Sequence, residues 1–389
     1  MKNFVWVLFV IFSFSSFAQP INEFNIILFP QGYGLKLLNS SGNSSIINDV
    51  SNISFMNPAS INNFKNYSAG LSYQVNTNIK EAWIADIGMN RIYNFYPQSF
   101  GAVVNWQGFT FGLGFGQRYN GTREFEPIPV TTIEQPDGTG EFIDIVEENS
   151  IHSYSVSTAF SFKEILQSDF DISLGLKYSL NRFHQYVDIW ENEINSTGYY
   201  SSFALGLISI FNLDEQRKIQ LGVSYESANR FKAEIEYDRE PILYDPDTTG
   251  NQNTYAKVNS YLHYTSPSEL NFDIAVDATD KLKFLAGLKS VFWSEFHEYY
   301  KDQIEISLST AFEINEIVKA SLGFYSTDFK IESTYHSDLN SELNALFITA
   351  GLKININQFS IDLALANSHL FSGDYTRQTI IKLAVGYTL

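Results

Sequence analysis

The most constraining feature of this chain is a strict alternation of apolar residues with small or polar ones. Between Ile172 and Leu180 every second residue is apolar, and the residues between them are Ser, Gly, Lys and Ser. The same period of two predicts β-strands with one apolar face. That face carries no charge, and the opposite face is rich in Gly and Ser, which favours a wall against lipid over a half-buried soluble sheet. Other stretches with this pattern are 109–115, 219–225, 318–324 and 381–387.

The spacing of such stretches predicts fourteen strands with alternately short and long connections. Links after even-numbered strands are short, as at 107–108, whereas those at 119–150, 183–198 and 236–255 are long. An even number of strands, with short turns at one end and long loops at the other, is typical of bacterial outer-membrane barrels. We therefore expect an all-β fold, a 14-stranded antiparallel transmembrane β-barrel. The predicted strands are 66–77, 98–106, 109–118, 151–162, 170–182, 199–211, 218–235, 256–277, 281–293, 303–312, 318–328, 343–354, 358–370 and 377–388.

The N-terminus has the pattern of an export signal. Lys2 precedes an apolar run, and Ser16-Phe17-Ala18 has the small-x-small form of a cleavage site. The run is shorter than the ~20 residues that a spanning helix needs. We expect residues 1–18 to be a signal peptide removed after Ala18, residues 19–65 to form a small hatch inside the lumen, and residues 66–389 to form a barrel in the outer membrane.

Composition argues against several classes of function. The 43 acidic residues outnumber 25 Lys and Arg, which argues against nucleic acid as a partner. There is no Cys, so disulfides and thiolate chemistry are absent. The six His show no metal-ligand spacing, and no nucleophile elbow or phosphate loop is present. We expect that the protein is not an enzyme and that it binds no cofactor and no metal. The acidic stretch 123–148 fits either a solvated loop surface or a cation site.

One segment, D-V-S-N-I-S-F-M-N-P-A-S at 49–60, does not alternate. Pro58 fixes its own φ and moves Asn57 out of the helical region, so this stretch favours a rigid turn. An ordinary loop turn would also fit. The position of the segment, between an export signal and a long series of strands, favours a plug that the strands enclose.

Four short motifs follow one another along the chain: Asp49, Ser51, Asn57, Pro58 and Ala59 in the hatch motif, then Leu221 to Ser227, Ser266 to Phe272, and Trp293 to Phe296. Their order, with that of the plug and fourteen strands, resembles the FadL/TodX family of outer-membrane transporters for long-chain fatty acids and other hydrophobic compounds. The hatch of this chain departs from the family pattern in being poorer in Ala and richer in Asn and Ser, and the chain ends in Leu389 instead of an aromatic residue.

The resemblance implies a passive channel whose substrate leaves through an opening in the barrel wall. It implies hydrophobic small molecules as ligands, outer-membrane lipids and the barrel-assembly machinery as partners, and a monomer. Gly112, Gly114 and Gly116 are candidates for the lateral gate, because Gly in a strand marks a kink. They fit equally well as small residues that make room for the hatch.

Two inward-facing lysines, Lys177 and Lys289, are candidate ligands for a substrate carboxylate. Each could instead pair with an inward carboxylate, such as Glu226, Glu305 or Asp362. A second hypothesis for the whole chain is an interaction protein on the same fold, for example a secretion shuttle, that acts through its acidic extracellular loops. An outer-membrane enzyme is a third, which the missing catalytic residues disfavour.

Overall fold

The computed structural model describes residues 49–64, 66–78, 82–84, 87–88, 93–124, 127–130, 140–162, 170–189, 192–214, 217–239, 258–295, 301–327, 345–371 and 378–389. The predicted signal peptide, 1–18, and the first part of the predicted hatch, 19–48, lie outside the described residues. So do 131–139, within the acidic stretch, and most of the predicted long link 236–255.

The wall of the barrel is a closed antiparallel sheet of fourteen spans, as the sequence predicts. It closes because β1 pairs with both β4 and β20. Twelve spans are single strands, and two are divided into β11–β12 and β13–β14. Short hairpins β2–β3 and β6–β7 lie outside the wall. The strands are β1 Tyr67–Asn78, β2 Ala82–Ile84, β3 Ile87–Gly88, β4 Tyr93–Trp106, β5 Phe109–Glu124, β6 Ile128–Pro129, β7 Phe142–Ile143, β8 Ile145–Ser161, β9 Phe170–Ile189, β10 Asn192–Asn212, β11 Lys218–Glu226, β12 Asn229–Arg239, β13 Val258–Ser266, β14 Glu269–Asp277, β15 Leu282–Val291, β16 Gln303–Glu313, β17 Val318–Thr327, β18 Ala345–Ile356, β19 Phe359–Asn367 and β20 Gln378–Thr388.

Short turns close one end of the barrel. Gln107 and Gly108 both have positive φ, which suits the two-residue hairpin between β4 and β5. Further short links at 278–281, 314–317 and 357–358 lie at the same end. Short turns mark the periplasmic end of such barrels. The opposite end is therefore the outer one.

The predicted link 183–198 was wrong, because most of it is strand. β9 continues to Ile189 and β10 begins at Asn192, with a paired ladder throughout. In a similar way β5 reaches Glu124 and β8 begins at Ile145. These strands extend beyond the apolar band that covers the rest of the wall.

The apolar face of the strands points outward, as predicted. Leu174 is 46% exposed, whereas Lys177 is 2% exposed and Ser173 is 7% exposed. Large apolar side chains remain exposed around the wall, where a hydrocarbon layer would cover them. Among the residues that the structure describes, no helix has the length and apolarity needed to cross a membrane.

Residues 49–64, here called the inner segment, lie inside the barrel. The segment has two short 3-10 helices, Val50–Asn52 and Pro58–Asn63. The first packs against β1, β4, β5 and β20, and the second against β5, β8, β9 and β10. Its apolar side chains form one buried cluster with the wall. The cluster contains Val50, Ile53, Met56, Ile61 and Phe64 of the segment, with Val103 and Ala159 of the wall.

Candidate functional site

The inner segment sits on glycines of the wall. A Cβ on Gly112 would lie 3.2 Å from Cγ2 of Ile53, and one on Gly114 would lie 2.5 Å from Oγ of Ser54. A Cβ on Gly116 would overlap the ring of Phe55. All three glycines proposed for a lateral gate therefore face the inner segment. Their gating role stays a prediction, and the structure supplies a packing reason for their small size.

The same arrangement continues on the neighbouring strands. A Cβ on Gly175 of β9 would overlap the backbone of Pro58 and Ala59. On Gly206 of β10 it would overlap Oδ1 of Asn57. Because a backbone cannot move aside as a flexible side chain can, Gly175 fixes how closely the Asn-Pro-Ala turn approaches the wall.

Side chains of the predicted hatch motif hold the inner segment in place. Nδ2 of Asn57 donates to the carbonyl oxygens of Leu207 at 3.2 Å and Val223 at 3.0 Å, on two adjacent strands. Oδ1 of Asn57 accepts from the backbone N–H of Ala59 at 2.9 Å. One Asn thus shapes the turn and also binds it to β10 and β11.

The other end of the motif is fixed by a carboxylate. Oδ1 of Asp49 accepts from Oγ of Ser51 at 2.6 Å and from its backbone N–H at 3.0 Å. Oδ2 of Asp49 lies 3.5 Å from Nζ of Lys382 on β20, and both side chains are buried. Asp49 and Ser51 were predicted from the sequence, whereas Lys382 was missed. Its position inside the lumen, between outward Ile381 and Leu383, was the available signal.

The wall loses its ladder between β4 and β5 on the outer side. Pairing runs from Trp106 opposite Phe109 to Ser99 opposite Gly116, and there it ends. β4 continues outward only in pairing with β1, and β5 continues only with β8. Both strands are irregular at this level, because the register shifts beside Pro97 in β4 and at Arg118 in β5. Proline has no N–H to donate to a ladder. We call this place the wall gap.

Arg118, the extra residue of the β5 bulge, turns into the lumen. Its guanidinium donates to Glu226 and, at 2.8 Å, to Oε1 of Glu269. Glu226 ends β11 and Glu269 begins β14, so both carboxylates adjoin the breaks that divide these two spans. One break holds Pro267, which again lacks the N–H that a ladder needs. Arg118 therefore links the wall gap to the opposite side of the lumen.

The two predicted ligand lysines belong to the same cluster. Nζ of Lys177 lies 3.2 Å from Oε2 of Glu226 and donates to the carbonyl oxygen of Ser54 at 2.8 Å. Nζ of Lys289 lies 3.4 Å from Glu269 and 3.9 Å from Glu305. We call Arg118, Lys177, Lys289, Glu226, Glu269 and Glu305 the charged cluster. Each cation of the cluster lies within 4 Å of at least one of its carboxylates, which offsets the cost of burying these charges. Four of the six were named from the sequence, and Arg118 and Glu269 were missed.

Toward the outer end, the lumen face changes from small polar residues to aromatic ones. The rings of Tyr200 and Phe231 stack with centroids 4.7 Å apart. Phe183 and Tyr264 lie beside them, each within 5.8 Å of a neighbouring ring. A second apolar patch lies on the C-terminal strands, formed by Tyr325, Phe347, Ala364, Ala366 and Ile380.

At the periplasmic side a cavity of about 340 Å³ lies beside the inner segment and is also lined by residues of β18, β19 and β20. Its lining includes Asp49, Asn63, Lys353, Asn355 and Asp362. Lys353 and Asp362 form an ion pair of 3.3 Å. The lining of this cavity is mixed, because Val50, Phe64 and Phe359 contribute to it beside these polar groups.

Comparison with solved structures identifies the fold. The chain is similar to a Pseudomonas aeruginosa FadL homologue with a TM-score of 0.61 and 13% identity, over 92% of this chain and 97% of that one. It is similar to the toluene transporter TodX of P. putida with a TM-score of 0.60 and 12% identity, over 92% of this chain and 99% of that one. It is also similar to the Ralstonia pickettii toluene transporter TbuX with a TM-score of 0.58 and 12% identity, over 92% of this chain and 99% of that one. No protein-family model and no curated protein matches the sequence.

Proposed function

We propose that this chain is a passive outer-membrane channel for hydrophobic compounds, whose substrate leaves sideways through the wall gap. The inner segment is the described part of the predicted hatch, and in this proposal it closes the lumen. The observation that carries the proposal is the end of the β4–β5 ladder at Ser99 and Gly116, where Phe55 of the inner segment reaches the wall.

The outer lumen supports a hydrophobic ligand. The aromatic group around Phe231 and the patch around Phe347 are buried apolar parts of the lumen face on two sides of the barrel. Burial of apolar area contributes about 25 cal/mol per Å², so such surfaces retain an apolar solute in preference to water. The names of similar solved structures, which include toluene transporters, agree with this class of ligand.

The route through the wall is favoured over a route past the hatch. Below the apolar region the solute meets the charged cluster and the packed inner segment, and the cavity beside that segment contains the Lys353–Asp362 ion pair. At the wall gap, by contrast, no ladder joins β4 to β5 beyond Ser99 and Gly116. A solute that leaves there passes beside Arg118 and enters the lipid layer at its outer boundary, the level of His152, without passing the inner segment.

In this proposal Gly112, Gly114 and Gly116 form the floor of the gate. Their lack of side chains lets Ile53, Ser54 and Phe55 reach the wall just below the point where the ladder ends. The hatch then supports the lower edge of the opening, and Arg118 supports its upper edge from inside.

Long-chain fatty acids remain one candidate substrate, and uncharged hydrocarbons are another. A fatty-acid carboxylate would bind Lys177 or Lys289 only by competing with Glu226, Glu269 or Glu305. An uncharged compound meets no such competition. The two lysines are the residues on which this choice of substrate depends.

The proposal is tested by uptake into cells that lack a channel of this kind. Cells that produce the barrel should accumulate a radiolabelled hydrocarbon or fatty acid faster than cells without it, whereas uptake of a small sugar should not change. Equal accumulation of the hydrophobic tracer in both strains would contradict the proposal.

A second candidate is an interaction protein that acts through its outer surface. Glu148, Glu193, Glu234 and Glu236 are exposed on the outward face of strands that extend beyond the apolar band. Affinity purification of the barrel from its membrane would favour this function if a protein partner were recovered in stoichiometric amount and the uptake test failed.

A further inference from the structure

The outward face of β9 marks the outer boundary of the lipid layer. Leu174, Leu176, Tyr178 and Leu180 are all 44% to 46% exposed on that face, and Arg182 follows them. On β8 the corresponding change comes after Tyr154, which is 52% exposed. The next outward residue is His152. The apolar run therefore ends at one level on both strands, and a basic residue follows it.

These basic residues are neighbours across the sheet. His152 is the ladder partner of Arg182, and Arg182 is the partner of Tyr199. Lys232 is the partner of His263 and directly follows Phe231, which points inward, so it points outward. We define the basic patch as His152, Arg182, Arg230, Lys232 and His263, all on the outer surface of β8, β9, β12 and β13.

Within the described residues, the Arg and Lys side chains of the basic patch lack carboxylate partners. The chain has 43 acidic residues against 25 Lys and Arg. Elsewhere buried cations pair with carboxylates, as Lys177 and Lys382 do. Within the described part of the chain, Arg182, Arg230 and Lys232 form no ion pair at all. The ammonium of Lys232 lies over the ring of Tyr261, 3.2 Å from its centroid.

We propose that the basic patch binds the phosphate groups of the glycolipid in the outer leaflet. Amphipathic Tyr rings mark the headgroup level of a membrane, and Tyr154, Tyr199 and Tyr261 lie beside the patch. Arg suits phosphate because its guanidinium donates in a bidentate fork. The patch begins next to the wall gap, since His152 is the partner of Gln117. This inference does not depend on transport.

The test compares two lipids on the folded, purified full-length barrel in detergent. Native mass spectrometry measures binding of a bisphosphorylated lipid A and of the same lipid after removal of both phosphates. The wild type should bind the phosphorylated form more tightly. Each cation near a lipid headgroup contributes about 1 kcal/mol, so the double variant Arg182→Gln with Lys232→Gln should bind it about 30-fold more weakly.

The matched control is Lys281→Gln with Lys319→Gln, which removes two exposed cations at the periplasmic end. It should leave the affinity within about threefold of the wild type, since its charges lie at the opposite leaflet. Heat-modifiable migration on gels confirms folding of each variant. Equal affinity of the wild type for both lipids, or an equal loss in the control, would overturn the proposal. Inhibition by millimolar inorganic phosphate alone would show a free-anion site and would also overturn it.

Discussion

Gly175→Ala tests whether the inner segment is seated against β9. The new methyl group would overlap the backbone of Pro58 and Ala59. Overpacking of this kind costs about 1–3 kcal/mol. Leaving the wall would cost more, because burial of each large apolar side chain contributes about 1.5–3 kcal/mol and the segment buries Val50, Ile53 and others. The segment should therefore remain in place under strain.

The strain can be read as faster local opening. The chain has no Cys, so Ser54→Cys supplies a single buried thiol in the segment. If labelling by a maleimide requires release of the segment, a strain of about 1–3 kcal/mol raises its rate by about 5- to 150-fold. Folding of the barrel, followed by heat-modifiable migration, should be preserved.

Gly112→Ala is the matched control. The nearest atom to its new methyl group would be Cγ2 of Ile53, a side-chain atom 3.2 Å away that can yield, and Ile61 and Ser157 would be in ordinary contact at 3.7 Å. Labelling of the thiol introduced by Ser54→Cys should then rise less than about fivefold, which corresponds to less than about 1 kcal/mol. Equal labelling rates with and without Gly175→Ala, each in the Ser54→Cys background, would refute the packing of the Asn-Pro-Ala turn against β9.

Two further changes test the wall and the lumen. Leu176→Arg, near the middle of the lipid-facing run of β9, should lower the free energy of unfolding in bilayers by about 2–4 kcal/mol. Leu180→Arg, at the edge of that run, should lower it by no more than about 1 kcal/mol. Equal losses of the two variants in denaturant titrations would contradict the assigned depth. Lys177→Met with Lys289→Met should weaken fatty-acid binding and spare a hydrocarbon of similar length if the lysines hold a carboxylate. Unchanged calorimetric affinity for both ligands would make the two lysines structural.

The barrel could be predicted because the apolar residues stay on one face of each strand throughout the part that crosses the membrane. On β9 the outward residues are apolar up to Leu180 and the inward ones are small or polar. Beyond that point polar residues face outward and large apolar residues face inward: Arg182 and His184 point outward, and Phe183 and Val187 point inward. The strand continues, but the signal of a lipid-facing wall stops, so the predicted strand ended at 182. Outside the barrel the strand passes from lipid to water at this level. Inside, it passes from the inner segment to the aromatic group around Phe231.

The site was predictable in part. The Asn-Pro-Ala turn and the inward lysines follow from local chemistry, since a fixed φ and a strand parity can be read from a sequence. Arg118 could not be assigned, because a bulge changes the parity on which that reading depends. The glycines left two explanations open, because only coordinates place Ile53, Ser54 and Phe55 against them.

The central claim, that substrate leaves between β4 and β5, is tested most directly by closing the wall gap. Pro97→Cys with Gln117→Cys places the only two thiols of the chain on either side of it. A short bis-methanethiosulfonate cross-linker joins them, and a reductant releases them. The control is Val156→Cys with Tyr178→Cys, outward partners across an intact ladder.

The measurement is uptake of a radiolabelled hydrophobic tracer by cells, before cross-linking, after it and after reduction, with the linked fraction determined by mass spectrometry. We predict that cross-linking at the wall gap lowers uptake to the level of cells without the barrel, that reduction restores it, and that the control pair transports normally throughout. Undiminished uptake by a fully cross-linked wall gap would contradict lateral exit at this place.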